Sequence, residues 1–243
     1  FMALADTLLP GSSPGLIGFP ARSLRNQGVY DTCFGCAIAA CLEARSLSVP
    51  RLSEAFLVFH SAQGTQVTRG LEATEAQYAL NSYGICRRDL YDHDIINGKP
   101  APGNAPSISA LNDALKRRPR RDLSSDLHQF RRLNDLYRAR LWQTQIRTQL
   151  PVLVRIWQNP GYLRMQNWQQ VNGKAIWQDR SSSGASHVVV VLGFDLEAEH
   201  FIVQDSQGSS FGNGGQWYLP FRQADSNAVL DAFEIGVPIS KLI

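Results

Sequence analysis

Apolar residues along this 243-residue chain change their spacing about two thirds of the way through. Earlier they recur at three- and four-residue steps; later they run in short blocks bounded by turn residues. Cys33 to about Leu47 is alanine-rich, carries Ile38, Cys41 and Leu42 at helical spacing, and predicts a central helix. Pro50 and Ser53 end one helix and start the next, with Ser53 a favourable N-cap ahead of Ala55 to His60. A third helix is predicted from Glu72 to Tyr83, stopped by Gly84. Leu127, Phe130, Leu133, Tyr137 and Leu141 would share one face of a further helix between Leu123 and Leu150. Thr148 to Ile156 then reads as the first strand of a β-rich region. Val188 to Leu192, Phe201 to Gln204 and Gln216 to Pro220 read as further antiparallel strands, the first two joined as a hairpin. Trp157, Trp168 and Trp177 are expected to serve hairpin and core packing.

Helices followed by strands suit an α+β architecture with a cleft between two lobes. Within one catalytic domain, residues 1–24 are expected as an extended arm and 25–106 as a mainly helical lobe. Residues 107–150 would form a basic helical segment and 151–243 the β-rich lobe. The turn-rich stretch from Asn97 to Pro106 is a candidate crossing between lobes.

Charge adds little: 24 basic against 21 acidic residues give +3, too mild to imply nucleic acid. The basic residues do cluster, from Lys116 to Arg121 and from Arg131 to Arg140, as a solvated face or a docking surface for an acidic partner. No stretch is long and apolar enough to span a bilayer, so neither nucleic acid nor membrane is expected as a partner. The opening Phe1-Met2-Ala3-Leu4-Ala5 lacks the basic region of a signal peptide, which leaves open a missing leader or pro-segment.

The cysteines change the picture. Cys33 opens the central helix, near the unpaired N–H groups and positive dipole end that favour a thiolate. Gln27, six positions upstream, brings a neutral amide able to donate to an oxyanion, with the Cys33 N–H as second donor. The predicted hairpin can bring His187 and Asp205 together, a base oriented by a carboxylate and facing a thiol. With Cys33 set aside, Cys36, Cys41 and Cys86 are a poor disulfide framework, which points to a reducing compartment such as the cytoplasm. Cys33 and Cys36 also form a C-x-x-C, although the strand that a redox motif wants and the second ligand pair that zinc wants are both absent from the pattern. His60, His93, His128 and His200 have no matching constellation.

Taken in order, these residues resemble a papain-family cysteine peptidase. The resemblance rests on Asn26-Gln27-Gly28, Cys33-Phe34, Leu52-Ser53-Glu54, Ser82-Tyr83-Gly84-Ile85, His187 before a valine-rich strand, Asp205-Ser206-Gln207-Gly208 and Phe211 to Tyr218. It spans about residues 25 to 220 and implies a divergent, bacterial-type member with a papain-like two-lobed fold. Asp31 stands where relatives have glycine, Tyr30 where they have a half-cystine, and Phe34 where they have tryptophan. Asp205 stands where they have asparagine, and Gln207 where a tryptophan shields the histidine pair.

The resemblance implies an endopeptidase acting through Cys33, His187, Asp205 and Gln27, with no metal or organic cofactor. Asp31, Gly70, Leu71, Ala185 and Ser186 should border the cleft for a protein or peptide substrate, Leu71 narrowing it in favour of small residues beside the cut. A delivered effector or toxin domain restrained by an inhibitor or immunity protein fits a papain-like core without bridges. Acyl transfer or deamidation on the same core, a double-glycine bacteriocin-processing peptidase, and a binding module without activity are the alternatives.

Overall fold

The structure is a computed structural model that describes residues 16–19, 24–27, 32–61, 71–92, 105–119, 130–134, 136–148, 150–166, 168–178, 182–237 and 239–243. Three helices build one lobe: α1 (Cys33–Ala44), α2 (Glu54–Ser61) and α3 (Ala73–Tyr83). All twelve residues of α1 are buried, which is why it reads as apolar all round. Ser53 Oγ accepts from the Phe56 N–H at 3.0 Å and starts α2 as its residue type predicts. Glu72 and Glu75 close a capping box at the start of α3. Gly84 ends that helix with φ at 77°, and a Cβ there would meet the Ala114 carbonyl oxygen at 2.0 Å. That carbonyl belongs to α4 (Ile108–Lys116), which packs against α2 and the Cys86 segment through Phe56, Ala110 and Ala114.

The remaining chain is organised by a nine-stranded sheet. Its strands are β1 (Leu16–Gly18), β2 (Phe130–Arg132), β3 (Val152–Gln158), β4 (Trp168–Val171), β5 (Lys174–Trp177), β6 (Ala185–Asp195), β7 (His200–Gln204), β8 (Gln216–Pro220) and β9 (Val229–Ile235). Eight run in the order β2-β9-β3-β6-β7-β8-β5-β4, and β1 pairs with the far end of β6. All pairings are antiparallel except a single β5–β8 bridge.

Strand β6 is the seam between the two cores. Val188, Val190 and Leu192 face the helical core with Phe34, Ile38 and Leu42 of α1. Val189, Val191 and Phe194 face a second core with Trp142, Trp177 and Trp217. Successive strand residues point to opposite faces, so a strand covered on both sides reads as an unbroken apolar run.

The expected helix from Leu123 to Leu150 is corrected. Residues 130–132 pair with Phe233–Ile235 of β9, and the helix α5 begins only at Arg138 and ends at Arg147. Tyr137, at φ 55°, interrupts the helical run, and both Leu136 and Tyr137 are exposed. Two residues of the basic cluster are buried anchors rather than a solvated face. Arg138 donates to the carbonyls of Ala224, Ser226, Val229 and Leu230, and Arg117 pairs with Asp113 at 2.6 Å. The expected face residue Leu127, residues 97–104 of the expected lobe crossing, His93 and His128 lie outside the described residues.

Candidate active site

Helix α1 delivers Cys33 at its first position, where backbone N–H groups have no partner within the helix. The Thr32 carbonyl accepts the Cys36 N–H at 3.1 Å, so the helical ladder starts one residue before the thiol. The described residues upstream of it, 24–27, are held from two sides. Arg25 is buried and pairs with Glu43 of α1 at 2.7 Å and Glu54 of α2 at 3.2 Å. It also donates to the Leu52 carbonyl, while Glu43 accepts the Leu52 N–H at 2.6 Å. Burial works against the Arg25 charge, but Glu54 and Glu43 outweigh it and raise its pKa. On the other side, Gln27 N–H donates to the Ser206 carbonyl at 2.8 Å, and Gly208 N–H to the Arg25 carbonyl at 3.0 Å.

The β6–β7 hairpin supplies the base. Val190 pairs with Gln204, so the two strand ends carrying His187 and Asp205 lie side by side. His187 alternates with Val189 and Val191, and Asp205 with Phe201 and Val203, which puts both on the face of the second core. His187 Nε2 lies 2.9 Å from Asp205 Oδ1. Both side chains are almost wholly buried. Burial alone would lower the His187 pKa, yet Asp205, with a contribution from hydrogen bonding to Cys33, raises it to about 10. For Asp205, burial pushes the carboxyl up, and His187, Tyr162 and Trp217 more than reverse this.

The Asp205 carboxylate is fully partnered. Oδ1 accepts from His187 and from the Ser206 N–H at 2.7 Å; Oδ2 accepts from Tyr162 OH at 2.5 Å and Trp217 Nε1 at 3.0 Å. Ser206 also reaches the nucleophile loop, where its hydroxyl donates to Gln27 Oε1 at 2.5 Å. With the amide oxygen toward this hydroxyl, the Gln27 NH2 group is left as the donor end.

The structure brings Cys33, His187 and Asp205 together, with Gln27 joined to them through Ser206. Ala185 and Ser186 lie exposed at the start of β6, next to His187. Leu71 is buried in the helical core with α1. Asp31 and Gly70 lie outside the described residues. Cys36, Cys41 and Cys86 are free and buried, and burial pushes each thiol up to about 12. His60 stacks on Tyr83 at 4.0 Å, and burial takes it down to about 4.

Tyr162, Ser206 and Arg25 are the site residues that sequence reasoning missed or left without a role. Tyr162 belongs to the four-residue helix α6 (Pro160–Leu163), too short for any periodicity to register. Asn159, its N-cap, and Pro160 at N1 were the only local signals, and they mark a turn rather than a site.

Sequence comparison with known families and with curated proteins gives no match. Comparison with solved structures does. Xylellain, a cysteine protease from Xylella fastidiosa, superposes with a TM-score of 0.69 at 15% identity, over 93% of this chain and 87% of that one. The bromelain protease from Ananas comosus, solved with the E64 inhibitor, gives 0.63 at 17% identity over 92% and 99%. Digestive procathepsin L 3 from Tenebrio molitor gives 0.65 at 15% identity, over 95% of this chain and 72% of that one. At these identities the likeness establishes architecture: this chain has the two-lobed α+β fold of the papain-like cysteine proteases, in a form divergent in sequence.

Proposed function

We propose that this chain is a papain-like cysteine peptidase that hydrolyses peptide bonds of a protein or peptide substrate. The observation that carries the reading is the assembly of Cys33, His187 and Asp205 with the Gln27 amide beside them. A likeness in fold alone does not require that four chemically apt side chains converge.

In this mechanism the Cys33 sulfur attacks the scissile carbonyl carbon, and the developing oxyanion is held by the Gln27 NH2 group and the Cys33 N–H. His187, with Nε2 committed to Asp205, presents Nδ1 to the reacting groups. It gives its proton to the leaving amine as the carbon–nitrogen bond breaks and a thioester forms. It then takes a proton from water, whose oxygen attacks the thioester carbon; the carbon–sulfur bond breaks, the acid leaves, and the Cys33 thiolate and His187 imidazolium are restored. Asp205 holds the ring orientation and the imidazolium throughout. The four free thiols suit a reducing compartment, which we assign as its setting.

The test is labelling by an epoxide that traps active cysteine peptidases, read by peptide mass spectrometry on the wild type and His187→Ala. Modification at Cys33 alone, lost in the variant, is expected. Labelling that ignores His187, or that spreads over Cys36, Cys41 and Cys86, would make Cys33 an ordinary thiol and overturn the reading. Appearance of the acyl half as a free carboxylic acid rather than bonded to an added amine, measured on the labelling-competent protein, distinguishes hydrolysis from acyl transfer.

A further inference from the structure

We propose that Tyr162 is a positioning residue that shares the Asp205 carboxylate with His187 and thereby sets how strongly that carboxylate holds the imidazolium. The proposal rests on the peptidase reading only for its consequence in catalysis; the contact itself is structural.

The hydrogen bonds of the site fit an ionised acid. Oδ2 of residue 205 faces two donors, Tyr162 OH and Trp217 Nε1–H, and Oδ1 faces two more, His187 Nε2–H and the Ser206 N–H. Trp217 can only donate. An amide in this place would turn its NH2 group either toward the indole N–H or toward the imidazole and the Ser206 N–H. A carboxylate satisfies all four. Tyr162 therefore belongs with aspartate at 205, and the two are best understood as one unit.

Its surroundings hold the phenol in place. The ring packs against Trp168, Trp177, Phe211 and Trp217, with centroids at 5.3–6.1 Å, and lies 5.8 Å from the His187 ring. Asn159 caps the one-turn helix beneath it by accepting the Tyr162 N–H at 2.9 Å. Burial and the neighbouring Asp205 charge push the phenol's own pKa well above its ordinary value, so it stays a donor across the neutral range. The titratable groups facing His187 are Cys33 from α1, Asp205 beyond β7 and, over its ring, Tyr162 from α6. Arg25 and Cys36 border a small cavity beside Asp205.

Four donors divide one negative charge. Removing the phenol hydroxyl leaves more of that charge to His187, so the imidazolium is held more tightly and gives up its proton at higher pH. Strengthening the phenol as a donor does the reverse. The experiment is an NMR titration of His187 in the full chain labelled in its histidine rings, with the His187 signal assigned by its loss in His187→Ala. Tyr162→Phe should move the titration up by about 0.5–1 unit, the share of a charged hydrogen bond that the imidazole would inherit. Replacing Tyr162 by 3-fluorotyrosine, nearly isosteric and a stronger donor, should move it down, and this variant keeps the test open if the phenylalanine protein does not fold. In an Asp205→Asn background, Tyr162→Phe should leave His187 unmoved.

No movement in either Tyr162 variant, movement of the same sign in both, or a phenylalanine shift that survives in the asparagine background would each assign Tyr162 to packing alone. None of these readouts requires turnover. Failure of the epoxide labelling would therefore remove the peptidase reading without touching this one, and the reverse holds as well.

Discussion

Replacing Asp205 by asparagine keeps the side-chain shape and deletes one charge from beneath His187. The nitrogen–oxygen separation is 2.9 Å. With charge centres about 4 Å apart and an effective dielectric near 20, the lost attraction is about 4 kcal/mol, or roughly three pKa units. An asparagine oxygen would keep the hydrogen bond and recover part of this, so a fall of about 1–3 units from the raised value is expected. The sign follows from the role of the proton. His187 must carry it to protonate the leaving amine, and activity declines as pH rises through the His187 pKa, near 10 in the wild type. The alkaline limb of kcat/KM in Asp205→Asn should therefore move toward neutrality, measured with a fluorogenic peptide that the wild type cleaves. Stability should follow the same linkage. The raised His187 pKa contributes fully below its ordinary 6.5 and is lost as pH climbs toward 10. The lowered Asp205 pKa contributes above its ordinary 3.8 and is lost as pH falls through the folded value. The difference in Tm between the two proteins should thus be largest between 3.8 and 6.5 and shrink on the alkaline side. An alkaline limb that stays in place or moves up would refute the claim that Asp205 holds the imidazolium by charge.

Gln27→Ala should lower kcat by roughly 100- to 1,000-fold with little change in KM, since the amide acts on charge that develops only in the transition state. Ser206→Ala, which frees the same amide to turn, should give a smaller loss of the same kind; unchanged kcat in both would remove the oxyanion role. Arg25→Met strips the countercharge from two buried glutamates and should cost about 3–5 kcal/mol, seen as a Tm lower by about 6–20 °C. A melt within error of the wild type would mean that Glu43 and Glu54 do not depend on it. Gly84→Ala forces a Cβ into the Ala114 carbonyl at a positive φ, and should destabilise the α3–α4 junction while leaving the pH profile of the remaining folded enzyme unaltered.

Much of the framework was legible in the chain itself. Helix α1, the caps at Ser53 and Gly84, and the β6–β7 hairpin are local objects, fixed by spacing and by the conformations that particular residue types favour. Once the hairpin is granted, the period of two puts His187 and Asp205 on one face, so the pair follows from sequence distance alone.

What tertiary structure decided is everything whose energy comes from a distant partner. Residues 130–132 have a helical pattern of apolar positions but become a strand because β9 offers an open ladder of backbone groups. Arg138 would sit in water on an isolated helix and is instead buried against the carbonyls around α7 (Phe221–Ala224) and the start of β9. Arg25, a lone charge in a loop, becomes the clamp of the nucleophile segment only because α1 and α2 bring it two carboxylates. Tyr162 reaches Asp205 across 43 residues of chain. Residue type and spacing determine what a segment does by itself. Which buried donor meets which buried charge depends on how β3, β6, β7 and β8 stack, because an unpaired polar group in that core costs more than any local preference can return.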